Sequence, residues 1–160
     1  MSIVDKDPVC GMIIKAREVE TVYAGIHYAF CSDQCRERFL ANPHLYIGYP
    51  GHKAPKQRDV QVVKRRRFRL EQPLLSLDGE LLTKDLRGMM GIREVHVDYM
   101  MIDIEVTYDL LKVTAEQIET RLAEIGLKLG EGWPERLRRG FVHFLEESEV
   151  LGLEEPPYRI

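Results

Sequence analysis

The sequence predicts an α+β protein of two small domains followed by a C-terminal helix. The chain has 160 residues, enough for two small domains. A Gly- and Pro-containing stretch without hydrophobic period begins near Ile47, and strand and helix patterns alternate beyond it. We therefore expect a first domain at 1–47, a linker at 48–60, a second domain at 61–130 and a helix with a tail at 131–160.

The first domain is expected to be a hairpin followed by a helix. The stretch ETVYAGIHYAF has two β-prone runs around Gly25, which is typical of a β-hairpin. In CSDQCRERFLANP, Ser32 is the predicted helix N-cap, Phe39 and Leu40 are expected to face inward, and Pro43 follows the helix end. A domain this small buries few apolar residues, so we expect a metal, a disulfide or a partner to stabilise it.

The second domain has a β-α-β-β-α-β rhythm. Apolar and polar residues alternate in IREVHVDY and in MIDIEVTYD, and the two stretches are predicted to form a hairpin. Thr114 and Gln117 predict a capping box at the start of the second helix. LKLG supplies a short last strand, which completes the order of a ferredoxin-like sandwich. The helical residues expected to face its core are Leu77, Leu81, Leu82, Leu86, Ile118, Leu122 and Ile125.

A helix is predicted in WPERLRRGFVHFLEESEVLG. Trp133 is expected to act as a staple, and Pro134 is placed at the helix start. We expect the helix to pack on one of the domains or on a second copy of the chain. Its packing residues are predicted to be Leu137, Phe141, Phe144 and Leu145.

Charge and composition exclude several classes of function. The formal net charge is −3, which gives no strong pull toward nucleic acid. No apolar run approaches the roughly 20 residues of a membrane span. The N-terminal residues lack the basic and apolar regions of a signal peptide, so we expect a cytoplasmic protein. Without a phosphate loop, an acid–base pair or a cofactor fingerprint, we do not expect an enzyme.

The strongest cluster of charge is KRRRFR, residues 64–69. It could contact nucleic acid or a membrane surface. Alternate residues of a strand point to opposite faces, however, so a solvated strand face or an acidic protein partner is the preferred interpretation.

The three cysteines are the candidate chemical site. Cys31 and Cys35 lie four apart at a predicted strand-to-helix junction, where the helix N-terminus favours the thiolate of Cys35. Cys10 precedes Gly11, which lets the backbone fold around the sulfur. Converging thiolates require a cation, and soft thiolates select Cu(I) or Zn(II). The alternatives are buried structural cysteines, a Cys31–Cys35 disulfide, or a catalytic cysteine with His27 nearby.

The stretches DPVCGM and YAGIHYAFCSDQCRERFLANPHLY resemble the YHS domain, part of the TRASH-like group of small metal-binding modules. The resemblance covers about residues 5–47 and implies a metal-stabilised hairpin-plus-helix module with Cys10, Cys31 and Cys35 as metal ligands. The cysteine spacing, C-x20-C-x3-C, falls within that of the group. The other matching positions are Asp7, Pro8, Gly11, Met12, Tyr23, Gly25, Tyr28, Phe30, Ser32, Phe39, Pro43 and Tyr46.

The sequence leaves the identity of a fourth metal ligand open. A structural zinc ion requires four protein ligands, and Asp7, His27 or His44 could supply the last one. Cu(I) accepts trigonal sulfur coordination, and Met12 could add a thioether.

The second domain resembles the heavy-metal-associated (HMA) domain in GIREVHVDYMMIDIEVTYDLLKVTAEQIETRLAEIGLKLG. That family carries a CxxC motif between its first strand and first helix. Here the corresponding segment, residues 75–78, reads LSLD and has no thiol. The resemblance therefore implies the fold without the metal site, and a scaffold or docking role.

These observations predict a soluble heavy-metal-binding protein that acts as a carrier or accessory in metal transport or homeostasis. Cu(I) or Zn(II) is the expected cargo. A transporter or a second copy of the chain is the expected protein partner, and nucleic acid is not expected. A metal-responsive sensor or regulatory subunit and a structural zinc module for assembly are the alternatives.

Overall fold

The computed structural model describes residues 5–15 and 18–156, and the chain divides into two compact units. The first unit consists of Met1–Gln61 and Glu149–Ile160, and the second of Val62–Ser148. The four domain ranges expected from the sequence remain predictions.

The first unit is built from two small hairpins and a helix. The strands are β1 (Asp5–Lys6), β2 (Ile13–Ile14), β3 (Val19–Tyr23) and β4 (Ile26–Phe30), and the helix is α1 (Asp33–Ala41). β1 pairs with β2 and β3 with β4, both antiparallel. The two residues between β3 and β4 have φ of +50° and +79°, the positive pair of a two-residue hairpin, as the sequence predicts.

Phe39 of α1 forms the centre of the first unit's core. Its ring is fully buried and lies 4.9 to 6.0 Å from four tyrosine or phenylalanine rings on β3, β4 and the segment after α1. Leu40, expected to face inward with it, is instead exposed. Consecutive helical residues point about 100° apart, so the two cannot share one direction.

The segment after α1 is held by Glu154. The Glu154 carboxylate accepts hydrogen bonds from Asn42 Nδ2 at 3.0 Å and from the backbone N–H of His44 at 2.9 Å. His44 also stacks on Tyr49, with ring centroids 4.3 Å apart. Two 3₁₀ turns, Pro43–Leu45 and Lys56–Arg58, complete this part of the unit.

The second unit has the predicted ferredoxin-like topology. Its strands are β5 (Val63–Arg69), β6 (Ile92–Asp98) and β7 (Asp103–Asp109), in the antiparallel order β5-β7-β6. Helix α2 (Ser76–Arg87) connects β5 to β6, and α3 (Ala115–Glu124) follows β7.

The expected last strand of the second unit is reduced to one bridge. Leu129 pairs with Leu70 at the end of β5. Two backbone hydrogen bonds, Glu71 N–H to Lys128 O and Gly130 N–H to Arg69 O, flank the bridge. The bridge lies on the β5 side of the sheet, which gives the strand arrangement of the ferredoxin-like sandwich.

The core of the second unit is formed mainly by β7 and the inward faces of α2 and α3. The sequence predicts Leu81 and Ile125 in this core, and both are instead exposed. Leu82 takes the inward position on α2, and Ile125 is the C-cap residue of α3. The side chain of Leu77 lies outside the described residues. The buried core residues include Phe68, Leu70, Leu82, Leu86, Val95, Ile104, Val106, Tyr108, Leu110, Leu111, Val113, Ile118 and Leu122.

The basic run forms part of β5. Arg65, Arg67 and Arg69 lie exposed on one face, and Arg65 and Arg67 both pair with Glu105 of β7. The structure therefore has the predicted solvated strand face.

Helix α4 (Trp133–Glu154) begins at the predicted position. Its predicted packing residues Leu137, Phe141, Phe144 and Leu145 are exposed, and so is Trp133, which forms no staple. The helix turns a different face inward. Within the described part of the chain, no helix combines the length and the apolar character needed to cross a lipid bilayer.

Candidate metal centre

The loop between β1 and β2 closes on itself around Asp7. The Gly11 N–H donates to Asp7 O at 2.8 Å, and the Asp7 N–H donates to Met12 O at 2.9 Å. Gly11 has a φ of +78°, which only glycine adopts without strain. This turn sets Cys10 directly before the glycine with positive φ.

The Asp7 carboxylate joins this loop to the end of β4. Oδ1 accepts the N–H groups of Val9 at 2.8 Å and Cys10 at 3.2 Å. Oδ2 accepts the N–H of Cys31 at 2.7 Å. One buried side chain therefore fixes the backbone at two of the three cysteines.

The other two cysteines lie at the junction of β4 and α1. Cys31 follows the last residue of β4, and Ser32 caps the helix by accepting the Cys35 N–H on Oγ at 3.4 Å. Cys35 is the third residue of the helix, and because helical side chains point toward the helix N-terminus, its sulfur lies near Cys31.

The three sulfur atoms and the Asp7 carboxylate form one cluster. The ligand atoms of Asp7, Cys10, Cys31 and Cys35 all lie within 4.8 Å of one another. Cys31 Sγ lies 3.5 Å from both Cys10 Sγ and Cys35 Sγ. A disulfide has sulfur atoms about 2.05 Å apart, and all three cysteines are free thiols.

The sulfur separations fit a soft metal ion. With Zn–S bonds of about 2.3 Å, tetrahedral geometry places the sulfur atoms about 3.8 Å apart. The observed 3.5 Å separations need an adjustment of only a few tenths of an ångström. The donor set also fits, since thiolates bind Cu(I) and Zn(II) tightly.

Asp7 has little coordinating capacity left. An ionised carboxylate offers about four acceptor positions, two on each oxygen. Three of them receive backbone N–H groups, and the remaining position is on Oδ2. Asp7 can therefore contribute one oxygen to a metal ion while it keeps its backbone contacts.

The thiol pKa values differ strongly within the cluster. A hydrogen bond from the Cys35 thiol lowers the pKa of Cys10 to about 7, against the opposing effect of burial. The same hydrogen bond, together with burial, raises the pKa of Cys35. Burial raises the pKa of Cys31 to about 11. The lowest thiol pKa of the cluster therefore belongs to Cys10 and not to Cys35, the position that the helix N-terminus favours, because Cys35 is buried and donates to Cys10.

The two candidate histidines lie outside the cluster. Among the described His, Cys, Asp and Glu residues, the cluster contains only Asp7 and the three cysteines, so neither His27 nor His44 joins it. His27 is exposed on β4 and lies outside the cluster, so it is not placed as the catalytic partner of a cysteine. His44 contacts Tyr23 and Ile47 O through its ring nitrogens. The side chain of Met12 is about half exposed.

The family comparison covers the segment that contains this site. Residues 6–49 match the family model of the YHS domain, which confirms the resemblance given by the sequence. The matched segment contains all three cysteines and Asp7. None of the curated proteins gives a significant match.

Two solved structures are similar to part of the chain. One is oxidized MerP from Ralstonia metallidurans CH34, with 16% sequence identity and a TM-score of 0.40, covering 43% of this chain and 96% of that one. The other is the CsoZ metallochaperone, with 16% identity and a TM-score of 0.41, covering 43% of this chain and 99% of that one. The ferredoxin-like assignment of the second unit depends on its strand order alone.

The second unit offers no thiol. All three cysteines of the chain, Cys10, Cys31 and Cys35, lie in the first unit. In the second unit, α2 begins after Leu75, in the LSLD segment that corresponds to the CxxC motif of the HMA domain. The candidate soft-metal ligands therefore belong to the first unit.

Proposed function

We propose that this protein binds a soft heavy-metal ion, Cu(I) or Zn(II), on Cys10, Cys31 and Cys35 and delivers it to a protein partner. The observation that carries the proposal is the convergence of three sulfur atoms and one carboxylate within 4.8 Å. Asp7 fixes two of the cysteines through their backbone N–H groups and can add one oxygen ligand.

Exposure supports a site that exchanges its metal. Cys10 and Cys31 are partly exposed, whereas Cys35 is buried. An incoming thiolate can form a bond to the metal as the bond to Cys10 or Cys31 breaks, and the released cysteine then takes up a proton. Cys35 would be released last because the partner reaches it only after the other two.

The second unit is proposed to dock on the partner. It has no cysteine, so it can hold no soft metal through thiolates. Its exposed arginines on β5 lie next to Glu105, so this surface carries both signs of charge. A transporter or another metal-handling protein is the kind of partner that this role requires.

A structural zinc site is the second candidate function. The full burial of Cys35 and the near-complete burial of Asp7 favour it, because three sulfur ligands and one oxygen would close a tetrahedral site. A closed zinc site resists chelators until its domain unfolds, whereas a carrier site loses its metal to a chelator in the folded state.

Competition titrations under anaerobic conditions test the proposal. The full chain should bind one Cu(I) or Zn(II) ion against a chromophoric chelator, and X-ray absorption should count three sulfur ligands. Cys31→Ser should weaken binding by at least about 100-fold, more than the loss of an outer-shell partner costs. His27→Ala is the matched control and should bind like the unchanged protein, since His27 lies outside the cluster. Full affinity in Cys31→Ser would refute the three-thiol site.

A further inference from the structure

Residues 133–148 of helix α4 belong to the second unit and pack within it through a polar face. Arg139 donates to Gly130 O at 2.6 Å and pairs with Glu119 of α3, which also contacts His143. The buried Glu146 accepts the Ala115 N–H at 2.8 Å and the hydroxyl of Tyr108. These contacts fix the rotation of α4 about its axis, so the apolar residues on its opposite side point away from them.

The opposite face of α4 is an exposed apolar stripe. Its side chains are 40% to 75% exposed and extend over 18 residue steps, about 27 Å at 1.5 Å per residue. The apolar residues at 137, 141, 144 and 151 follow the alternating four-and-three spacing of a helix-packing seam, in which position 148 is a serine. Exposed apolar patches of this kind mark interaction surfaces. The stripe consists of Trp133, Leu137, Phe141, Phe144, Leu145 and Leu151.

The charges beside the stripe identify its occupant. Exposed Arg136 and Arg138 flank the first half, and exposed Glu147 and Glu149 flank the second half. A second copy of α4 in the antiparallel direction brings the basic half of each copy opposite the acidic half of the other. A parallel pair would instead place like charges opposite each other, which is destabilising.

We propose that the stripe on α4 is a dimerisation surface, which pairs with the same stripe of a second copy in antiparallel orientation. The twofold axis passes between Val142 and His143, so Phe141 of each copy packs on Phe144 of the other. In this register Arg138 and Glu149 of the other copy lie on the same flank, offset by two residue steps or about 3 Å along the axis, and Arg136 and Glu147 have the same offset on the other flank. Twofold symmetry forms each contact twice.

The stripe is smaller than a standard specific interface, which is typical of weak, reversible association. A fully exposed aromatic side chain offers about 150–250 Å², so the stripe can bury on the order of 600 Å² per copy. A standard specific interface buries about 800 Å² per partner. We therefore expect a reversible dimer that forms at micromolar concentrations.

Sedimentation velocity of the full chain over a range of concentrations tests the dimer. The unchanged protein should shift from monomer to dimer, and the double variant Phe141→Ser, Phe144→Ser should raise the dimer dissociation constant at least tenfold. Leu75→Ser with Met100→Ser is the matched control, because both side chains are exposed apolar residues outside α4. Circular dichroism should show the same helix content in all variants.

Charge reversal tests the antiparallel orientation. Arg138→Glu should weaken the dimer several-fold, because it lies on the same flank as Glu149 of the second copy. Adding Glu149→Arg to that variant should restore the affinity. A monomer at every concentration, a dimer that survives loss of both phenylalanines, or failure of the double charge reversal to restore affinity would overturn the proposal. Association of a monomeric protein with lipid vesicles would overturn it in favour of a membrane-surface role.

Discussion

Asp7 is both a candidate metal ligand and the side chain that fixes the backbone at two cysteines. Its position before Cys10 makes it a candidate metal ligand, and in the structure it is buried and accepts three backbone N–H groups. The signal available in the sequence is an aspartate followed by a glycine four residues later, which is typical of a turn closed by its side chain. The contact with Cys31 could not be predicted, because it joins residues 24 positions apart.

Asp7→Asn should loosen the backbone at Cys31. An amide has one oxygen acceptor where the carboxylate has two, so at least one buried hydrogen bond to a charged group is lost, at a cost of about 1.5–3 kcal/mol. Hydrogen exchange at the Cys31 amide should accelerate by about 10- to 100-fold. Asp33→Asn is the control, since Asp33 is exposed on α1 and pairs with Arg36 at the helix surface. Unchanged exchange at Cys31 would show that Asp7 does not hold this strand end.

Among the helices, the ends were predictable and the inward faces were less so. Ser32 caps α1, and Thr114 forms the predicted capping box with Gln117 at α3. Caps depend on residues within one helical turn, so the sequence contains them. The inward face of α4 depends on partners in α3 and β7 and on the start of α3. Its charged residues occupy that face because they form hydrogen bonds there.

The two caps provide a matched pair of variants. Ser32→Ala and Thr114→Ala should each cost about 1 kcal/mol of local stability. Because Ser32 also positions the N–H of Cys35, Ser32→Ala should weaken metal binding about fivefold, and Thr114→Ala should leave it unchanged. Chelator competition measures both affinities, and hydrogen exchange in the first turn of each helix measures the caps. Equal metal affinity in the two variants would contradict a role for the α1 cap in the site.

At the scale of the whole molecule, the metal-ligand cluster found among the described residues belongs to one unit. Asp7 and the three cysteines lie in the first unit, and the second unit contains no cysteine. A ligand that binds only the native state stabilises the part of the protein whose folding creates its site. Metal should therefore change the stability of the two units differently.

Hydrogen exchange with and without metal tests this difference. At a free metal concentration of 100 times Kd, the first unit should gain about 2.7 kcal/mol, which slows its globally exchanging amides about 100-fold. Amides of Val62–Ser148 should exchange at nearly unchanged rates. Cys31→Ser should abolish the protection in the first unit. Equal slowing in both units of the unchanged protein would contradict a site confined to the first.

Local patterns in the sequence were enough to predict the element types, the ferredoxin-like order of the second unit, the caps and the three candidate thiols. These features depend on periodicity, capping and spacing, which a linear chain records directly. Three others required the folded chain: Asp7 fixes Cys31, Cys10 rather than Cys35 is the most acidic thiol, and α4 turns its apolar face outward. Each of these depends on burial and on partners far apart in the chain, and the free energy of those contacts exists only once the chain has folded.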